Sequence, residues 1–150
     1  MVVVRQVDYR PVALGVVAWA VVVGVCAFIA LTEGHLGISS SAATWAYWIA
    51  ALWTSATGWW LGWRRRMGTA FAAPVLSWIV FVPFAFASEF VRAGFLGGLI
   101  RGLGLAVFGG FVASFVEGVL LVAFASLGRL AAAALGRGGP DVVILPPGSG

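Results

Sequence analysis

Residues 111–124 read FVASFVEGVLLVAF, an apolar run with a single charged residue, Glu117. The run lies inside a longer stretch, 103–128, that has no other charged residue. A helix of this length is long enough to cross a hydrocarbon core of about 30 Å. The stretch therefore predicts a membrane-spanning helix, and an ionised carboxylate at its centre would be costly.

Composition places the whole chain in the same class. Mean hydropathy is +1.06 and 9% of the residues are charged, compared with about 25% in an ordinary soluble domain. A soluble chain of 150 residues could not bury this apolar surface, because roughly a third of the surface exposed by the unfolded chain stays exposed. We expect an all-α integral membrane protein of the cell membrane that is surrounded by the lipid bilayer. The net charge of +4 does not require a nucleic-acid partner.

The chain contains four segments that are long and apolar enough to be spans, and short connections favour antiparallel neighbours. The predicted fold is an antiparallel four-helix bundle in one domain, residues 1–138. Residues 139–150, GPDVVILPPGSG, contain three prolines and three glycines and predict a disordered cytoplasmic tail. The predicted spans are 11–31, 43–63, 69–88 and 103–128.

The arginines predict the orientation of the spans. Arg64, Arg65 and Arg66 form the turn between the second and third spans, and four further arginines fall on the same side of a four-span arrangement. Only Arg92 and Arg101 fall on the other side. Because basic residues favour cytoplasmic loops, both termini are expected in the cytoplasm. The four further arginines are Arg5, Arg10, Arg129 and Arg137.

The segment 89–102, EFVRAGFLGGLIRG, has too many charges and glycines to form a span of its own. It is interpreted either as a helix at the outer interface or as an extension of the fourth helix that is broken at glycine. Glu89 and Arg92 are three residues apart, so they can pair on one helical face.

The periodicity around Glu117 predicts the direction of its carboxyl. On a helix, small residues including Ala106, Gly110 and Ser114 share its face, whereas Phe108 and Phe115 lie opposite. Small residues let helices approach closely and bulky ones suit lipid, so Glu117 should face the other helices. Thr54 and Ser77 lie at similar depth in their own spans. The predicted intramembrane polar site is Glu117, Thr54, Ser77 and Ser114.

Two interpretations of Glu117 remain open. A protonated glutamate can join two helices by bonding a hydroxyl or carbonyl group, and an acid inside a membrane can also mark a proton or cation path. The spans supply no second charge that would continue a proton relay, which favours the structural interpretation.

The second span holds six of the eight tryptophans, and they form one helical stripe. Those near its ends suit the two membrane interfaces, where indoles anchor at headgroup level, while Trp53 lies at mid-depth. The stripe is a candidate face for a partner or a lipid, and the opposite small face, including Thr54, is expected to pack inward. The six residues are Trp45, Trp48, Trp53, Trp59, Trp60 and Trp63.

The common enzyme signatures HExxH, GxSxG and the P-loop are missing from the sequence. One histidine and one cysteine do not make a zinc or haem site, so neither a metal nor a cofactor is predicted. The sequence favours a non-enzymatic accessory or structural membrane component that acts on another membrane subunit or a second copy of the chain. The alternative is a proton- or cation-coupled small transporter or channel subunit that uses Glu117.

Overall fold

The computed structural model describes residues 10–137, of which 91% are helical, and none of these residues forms a strand. Two π-helical turns, Leu105–Gly109 and Ala133–Arg137, follow the third and fourth helices. The predicted tail at 139–150 lies outside the described residues, as does Arg5. The helices are α1 (Arg10–Leu31), α2 (Ser40–Trp63), α3 (Met67–Gly104) and α4 (Gly110–Ala132).

Local sequence explains how α2 begins and ends. The Ser39 side chain accepts a hydrogen bond from the Ala42 amide at 3.3 Å, which satisfies one of the free N–H groups at the start of a helix. After Trp63 the chain turns through the arginines, and Arg65 adopts a positive φ of 58°. This tight turn brings α3 back alongside the end of α2.

The chain reverses direction inside α3, at Gly94, where φ is 69° and ψ is −172°. Glycine accepts this backbone conformation without steric penalty. Beyond the reversal, Gly98 packs on Phe90 and Gly102 packs on Phe86, so residues 95–104 fold back on the arm before Gly94. Of the two interpretations of 89–102, the structure has the helix broken at glycine, but only residues 95–102 extend the fourth helix, while 89–93 extend the third.

The predicted pair at the reversal forms. Arg92 Nη1 lies 2.9 Å from Glu89 Oε1, and the Glu89 side chain is buried whereas Arg92 is partly exposed. A buried carboxylate needs a charge or hydrogen-bond partner, and the i, i+3 spacing provides one within the same helix.

Two helical segments are long and apolar enough to cross a membrane. They are α1 and the run Met67–Gly136, whose 18-residue apolar windows have mean hydropathies of 2.7 and 2.2. The second run contains both arms of the reversal. In the part of the chain that the structure describes, α2 does not join them, because its tryptophans, serines and threonines lower its hydropathy although it has no charge. The all-helical chain with these two segments supports association with a membrane.

The helices pack in a ring in which α2 contacts α1 and α4, and α3 contacts α1 and α4. The contact between α2 and α4 is the most extensive. A Cβ placed on Gly58 would lie 2.6 Å from the Leu121 carbonyl oxygen, and Gly62 is even closer to the Ala125 carbonyl. Glycine at these positions lets the two backbones touch, as in other closely packed apolar helices.

Two apolar clusters fill the interior. The larger surrounds Trp19, Leu61 and Leu121, which are fully buried. The smaller lies nearer the reversal and contains Phe81, Ala85 and Ala106. The outside is also apolar: large aliphatic or aromatic side chains are exposed on every helix. Both the interior and the surface of this fold are therefore poor in charge.

Candidate functional site

Glu117 lies on the side of α4 that faces the other helices. Gly110, Ser114 and Leu121 on the same side are buried, while Phe108 on the opposite side is 76% exposed and Phe115 is exposed as well. This division into buried and exposed residues matches the small and bulky helix faces that the sequence predicts.

The Glu117 carboxyl is bonded to α3. Ser77 Oγ donates a hydrogen bond to Glu117 Oε2 at 2.5 Å, and the Ser77 side chain is buried. The next residue, Gly118, packs against the ring of Pro74, which lies about one turn before Ser77: an ideal Cβ on Gly118 would lie 3.1 Å from Pro74 Cγ. The absence of a side chain at Gly118 brings the two helices close enough for the short hydroxyl of serine to reach the carboxyl.

Thr54 does not bond Glu117, the partner that its position in the middle of α2 suggests. Its hydroxyl accepts a hydrogen bond from Trp19 Nε1 at 3.0 Å, and both side chains are almost completely buried. This bond joins α1 to α2. Thr54 and Glu117 still face the same cavity, so the structure brings them to one space without a hydrogen bond between them among the described contacts.

Ser114 lies on the same inward side of α4 as Glu117 but borders a different groove. It is buried and borders a shallow groove with Pro74 and Gly118, on the side that faces α3. Of the predicted polar residues, Ser77 and Thr54 therefore meet Glu117 or its cavity, and Ser114 does not line that cavity.

A cavity of about 460 Å³ lies between α1, α2 and α4. Its walls are almost entirely apolar, and Glu117 is the charged residue among them. The cavity arises because α2 and α4 touch at Gly58 and Gly62 and separate toward the end where α2 begins. The lining residues are Val23, Cys26, Ala27, Ala46, Tyr47, Trp48, Ala50, Ala51, Thr54, Ala113, Val116, Glu117 and Leu120.

A third hydrogen bond between helices holds the π-helical turn Leu105–Gly109. Trp78 Nε1 donates to the Ala106 carbonyl oxygen at 2.8 Å, and the Trp78 indole also packs on Gly110. A π-helical turn departs from the regular α-helical hydrogen bonding, so an added donor stabilises a carbonyl in that turn.

Sequence reasoning missed both of these indole donors. Trp19 and Trp78 lie outside the tryptophan-rich α2, and their acceptors are 35 and 28 residues away. A single tryptophan in an apolar span is a weak signal, because periodicity shows which face it occupies and not which helix it will meet.

The six tryptophans of α2 do not share one environment. Trp45, Trp48, Trp53 and Trp59 are exposed. Trp60 is partly buried against the larger core cluster and under the Arg64 guanidinium, which lies 5.6 Å from the indole centroid. Trp63 is also partly buried. The exposed face thus consists of four indoles, hereafter the tryptophan face: Trp45, Trp48, Trp53 and Trp59.

The predicted topology signal forms the turn between α2 and α3. Arg64 and Arg65 are exposed and Arg66 is partly buried. The turn closes through backbone hydrogen bonds, from the Arg65 amide to the Gly62 carbonyl at 2.9 Å and from the Arg66 amide to the Leu61 carbonyl at 2.8 Å.

Within residues 10–137 no three histidine, cysteine, aspartate or glutamate side chains come together as a metal site. His35 lies in the exposed connection between α1 and α2, with Nδ1 3.2 Å from the Glu33 carbonyl oxygen. Comparison with protein-family models, with curated proteins and with solved structures gives no match to this chain.

Replacing Ser77 by Ala should destabilise the protein by about 0.6 kcal/mol, and by up to about 1.7 kcal/mol, because hydrogen bonds between apolar helices contribute in that range. The free energy of unfolding can be measured by titrating the purified protein in mixed micelles with sodium dodecyl sulfate and following circular dichroism. Ser126→Ala is the matched control, since Ser126 Oγ donates only to Val122 O of its own helix and is exposed. Equal losses in the two variants would contradict a stabilising contact between α3 and α4.

Proposed function

We propose that the chain is a multi-pass protein of the cell membrane whose four helical arms form a bundle in which consecutive arms run antiparallel. The arms are α1, α2, residues 67–93 before the reversal and residues 95–132 after it. The exposed apolar side chains on every helix support contact with lipid, and the aromatic residues of α2 suit its two ends to the membrane interfaces. The arginine distribution supports an orientation with both termini in the cytoplasm.

The orientation predicts which introduced cysteines react from outside the cell. In a Cys26→Ser background, His35→Cys should react with a membrane-impermeant maleimide in intact cells, and Gly68→Cys should react only after permeabilisation. Both positions are exposed, and a Cβ at Gly68 meets no atom within 4 Å. The reverse pattern would contradict the orientation, and labelling of both in intact cells would contradict an α2 that crosses the membrane.

Within that bundle, the chain acts as a non-enzymatic accessory or structural membrane component. The observation that carries this proposal is the use of polar side chains to join helices: Ser77 to Glu117 and Trp19 to Thr54. Trp78 adds a bond from α3 to a backbone carbonyl. Polar groups used in this way hold a scaffold together, which supports the structural interpretation of Glu117.

The tryptophan face supplies the contact with a partner. Trp53 is 47% exposed although it lies in the middle of α2, where anchoring at a membrane interface does not explain an indole. Tryptophan is enriched among the residues that dominate binding at protein interfaces. The partner is accordingly another membrane subunit or a second copy of this chain, packed against α2.

Replacing Trp53 by Leu should weaken that assembly by about tenfold, because truncating an aromatic anchor commonly costs more than about 1 kcal/mol. The measurement is the mass and subunit ratio of the complex purified in mild detergent, determined by native mass spectrometry over a dilution series. Phe115→Leu on the exposed face of α4 is the control for losing an aromatic ring. Unchanged dissociation of the Trp53 variant would contradict a partner on this face.

A second candidate function is proton- or cation-coupled transport. The observation in its favour is that Glu117 lines the cavity between α1, α2 and α4 as well as bonding Ser77. Acids inside membranes often belong to ion pathways, and a carboxyl beside open space has room for an ion or a proton donor.

Glu117→Gln separates the two candidates. If the protein is a structural component, the amide oxygen still accepts the Ser77 hydrogen bond, so the variant should fold like the wild type and neither protein should move protons across liposome membranes. If it is a transporter, the wild type should carry proton or cation flux and the variant should lose it. A pH-sensitive dye inside the liposomes reports proton flux. Glu33→Gln, the same change in an exposed connection, controls for the loss of a carboxylate.

A further inference from the structure

The cavity between α1, α2 and α4 combines an apolar wall with one acid. Val23, Ala27 and Leu120 are typical of its lining, and Glu117 is the charged residue among them. Its volume of about 460 Å³ falls within the range of about 300–1,000 Å³ typical of small-molecule sites. These dimensions suit one compact organic ligand.

The packing of α2 on α4 gives the cavity its shape. Near Gly58 and Gly62 the two backbones are in contact, so the cavity ends between Thr54 and Gly58 along α2. Toward the start of α2 the helices separate, and Tyr47 is 64% exposed although its neighbour Ala46 is buried. Val116 of α4 is exposed on the other side of this gap. The cavity therefore opens between α2 and α4, on a surface that is itself apolar.

The chemistry of the walls selects the kind of ligand. A purely apolar ligand would fill the space but would offer the carboxyl no contact beyond its hydrogen bond from Ser77, and a carboxyl in a medium of low polarity is stabilised by each further polar partner. A ligand with an ammonium group can donate a hydrogen bond to the carboxyl, and such charge-assisted bonds are stronger than neutral ones. Tyr47 and Trp48 at the opening add aromatic faces that attract cations.

We propose that this cavity binds a lipophilic amine, with its protonated nitrogen at Glu117 and its apolar body between Val23, Ala113 and Ala50. Ser77 donates to Glu117 Oε2 and thereby fixes the direction of the carboxyl. The site shares Trp48 with the tryptophan face, but ligand binding requires neither a protein partner nor movement across the membrane.

Matched ligands test the proposal on the purified full chain in detergent. Diphenylpropylamine and its alcohol analogue, diphenylpropanol, have the same apolar body and differ in the amine. The amine should raise the thermal unfolding midpoint in a saturable manner and bind at least about tenfold more tightly than the alcohol. In Glu117→Gln the two affinities should become equal. Equal affinities in the wild type would overturn the proposal and describe a cleft filled by apolar groups alone.

Two further measurements locate the ligand. Cys26 is the one cysteine of the chain and lines the cavity, so bound amine should slow its modification by a small neutral thiol reagent, followed by intact-protein mass spectrometry. Ala113→Leu should fill the cavity and abolish amine binding, whereas Ala123→Leu, on the exposed side of the same helix, should retain it. Unchanged Cys26 modification at saturating amine, or unaltered binding to Ala113→Leu, would overturn this location.

Discussion

The contact of α2 with α4 at glycine is the constraint on which the other features depend. Gly58 and Gly62 on one helix and Gly128 on the other leave the opposing carbonyl groups no room for a side chain. Helices in an apolar solvent gain little from burying more apolar surface, so close packing has to supply the attraction. Because this contact lies at one end of the pair, the other end can separate, and the cavity beside Glu117 results from that geometry.

The polar contacts then fix how the helices are rotated against each other. Close packing of small residues tolerates sliding and rotation, whereas a hydrogen bond between named atoms does not. The bonds from Ser77 to Glu117 and from Trp19 to Thr54 give each helix one directional contact with a neighbour. The same carboxyl can hold the helices together and present an acid to the cavity, so the structural and ligand-binding interpretations of Glu117 are compatible.

Local pattern was sufficient for the helical class and for the inward direction of Glu117, because small and bulky residues alternate with helical periodicity in α4. It was also sufficient for the pairing of Glu89 with Arg92, which depends only on their spacing. It was insufficient for the partner of Thr54 and for the role of Trp78, since both depend on which helices become neighbours. A helix broken at glycine was one of two interpretations of the segment 89–102. The structure has the break at Gly94, where Gly98 and Gly102 pack back on Phe90 and Phe86, and these contacts were not predictable from spacing.

The π-helical turn Leu105–Gly109 affects which side of residues 95–132 faces the other helices. Gly98, Gly102 and Ala106 are buried, and Gly110 and Ser114 continue this spacing of four residues. In an ideal helix each such step would rotate the buried position by about 40°, so the stripe would drift around the axis. A turn with more residues per revolution cancels part of that drift. The glycine-lined arm and the carboxyl three residues beyond Ser114 thereby stay oriented toward the same neighbours.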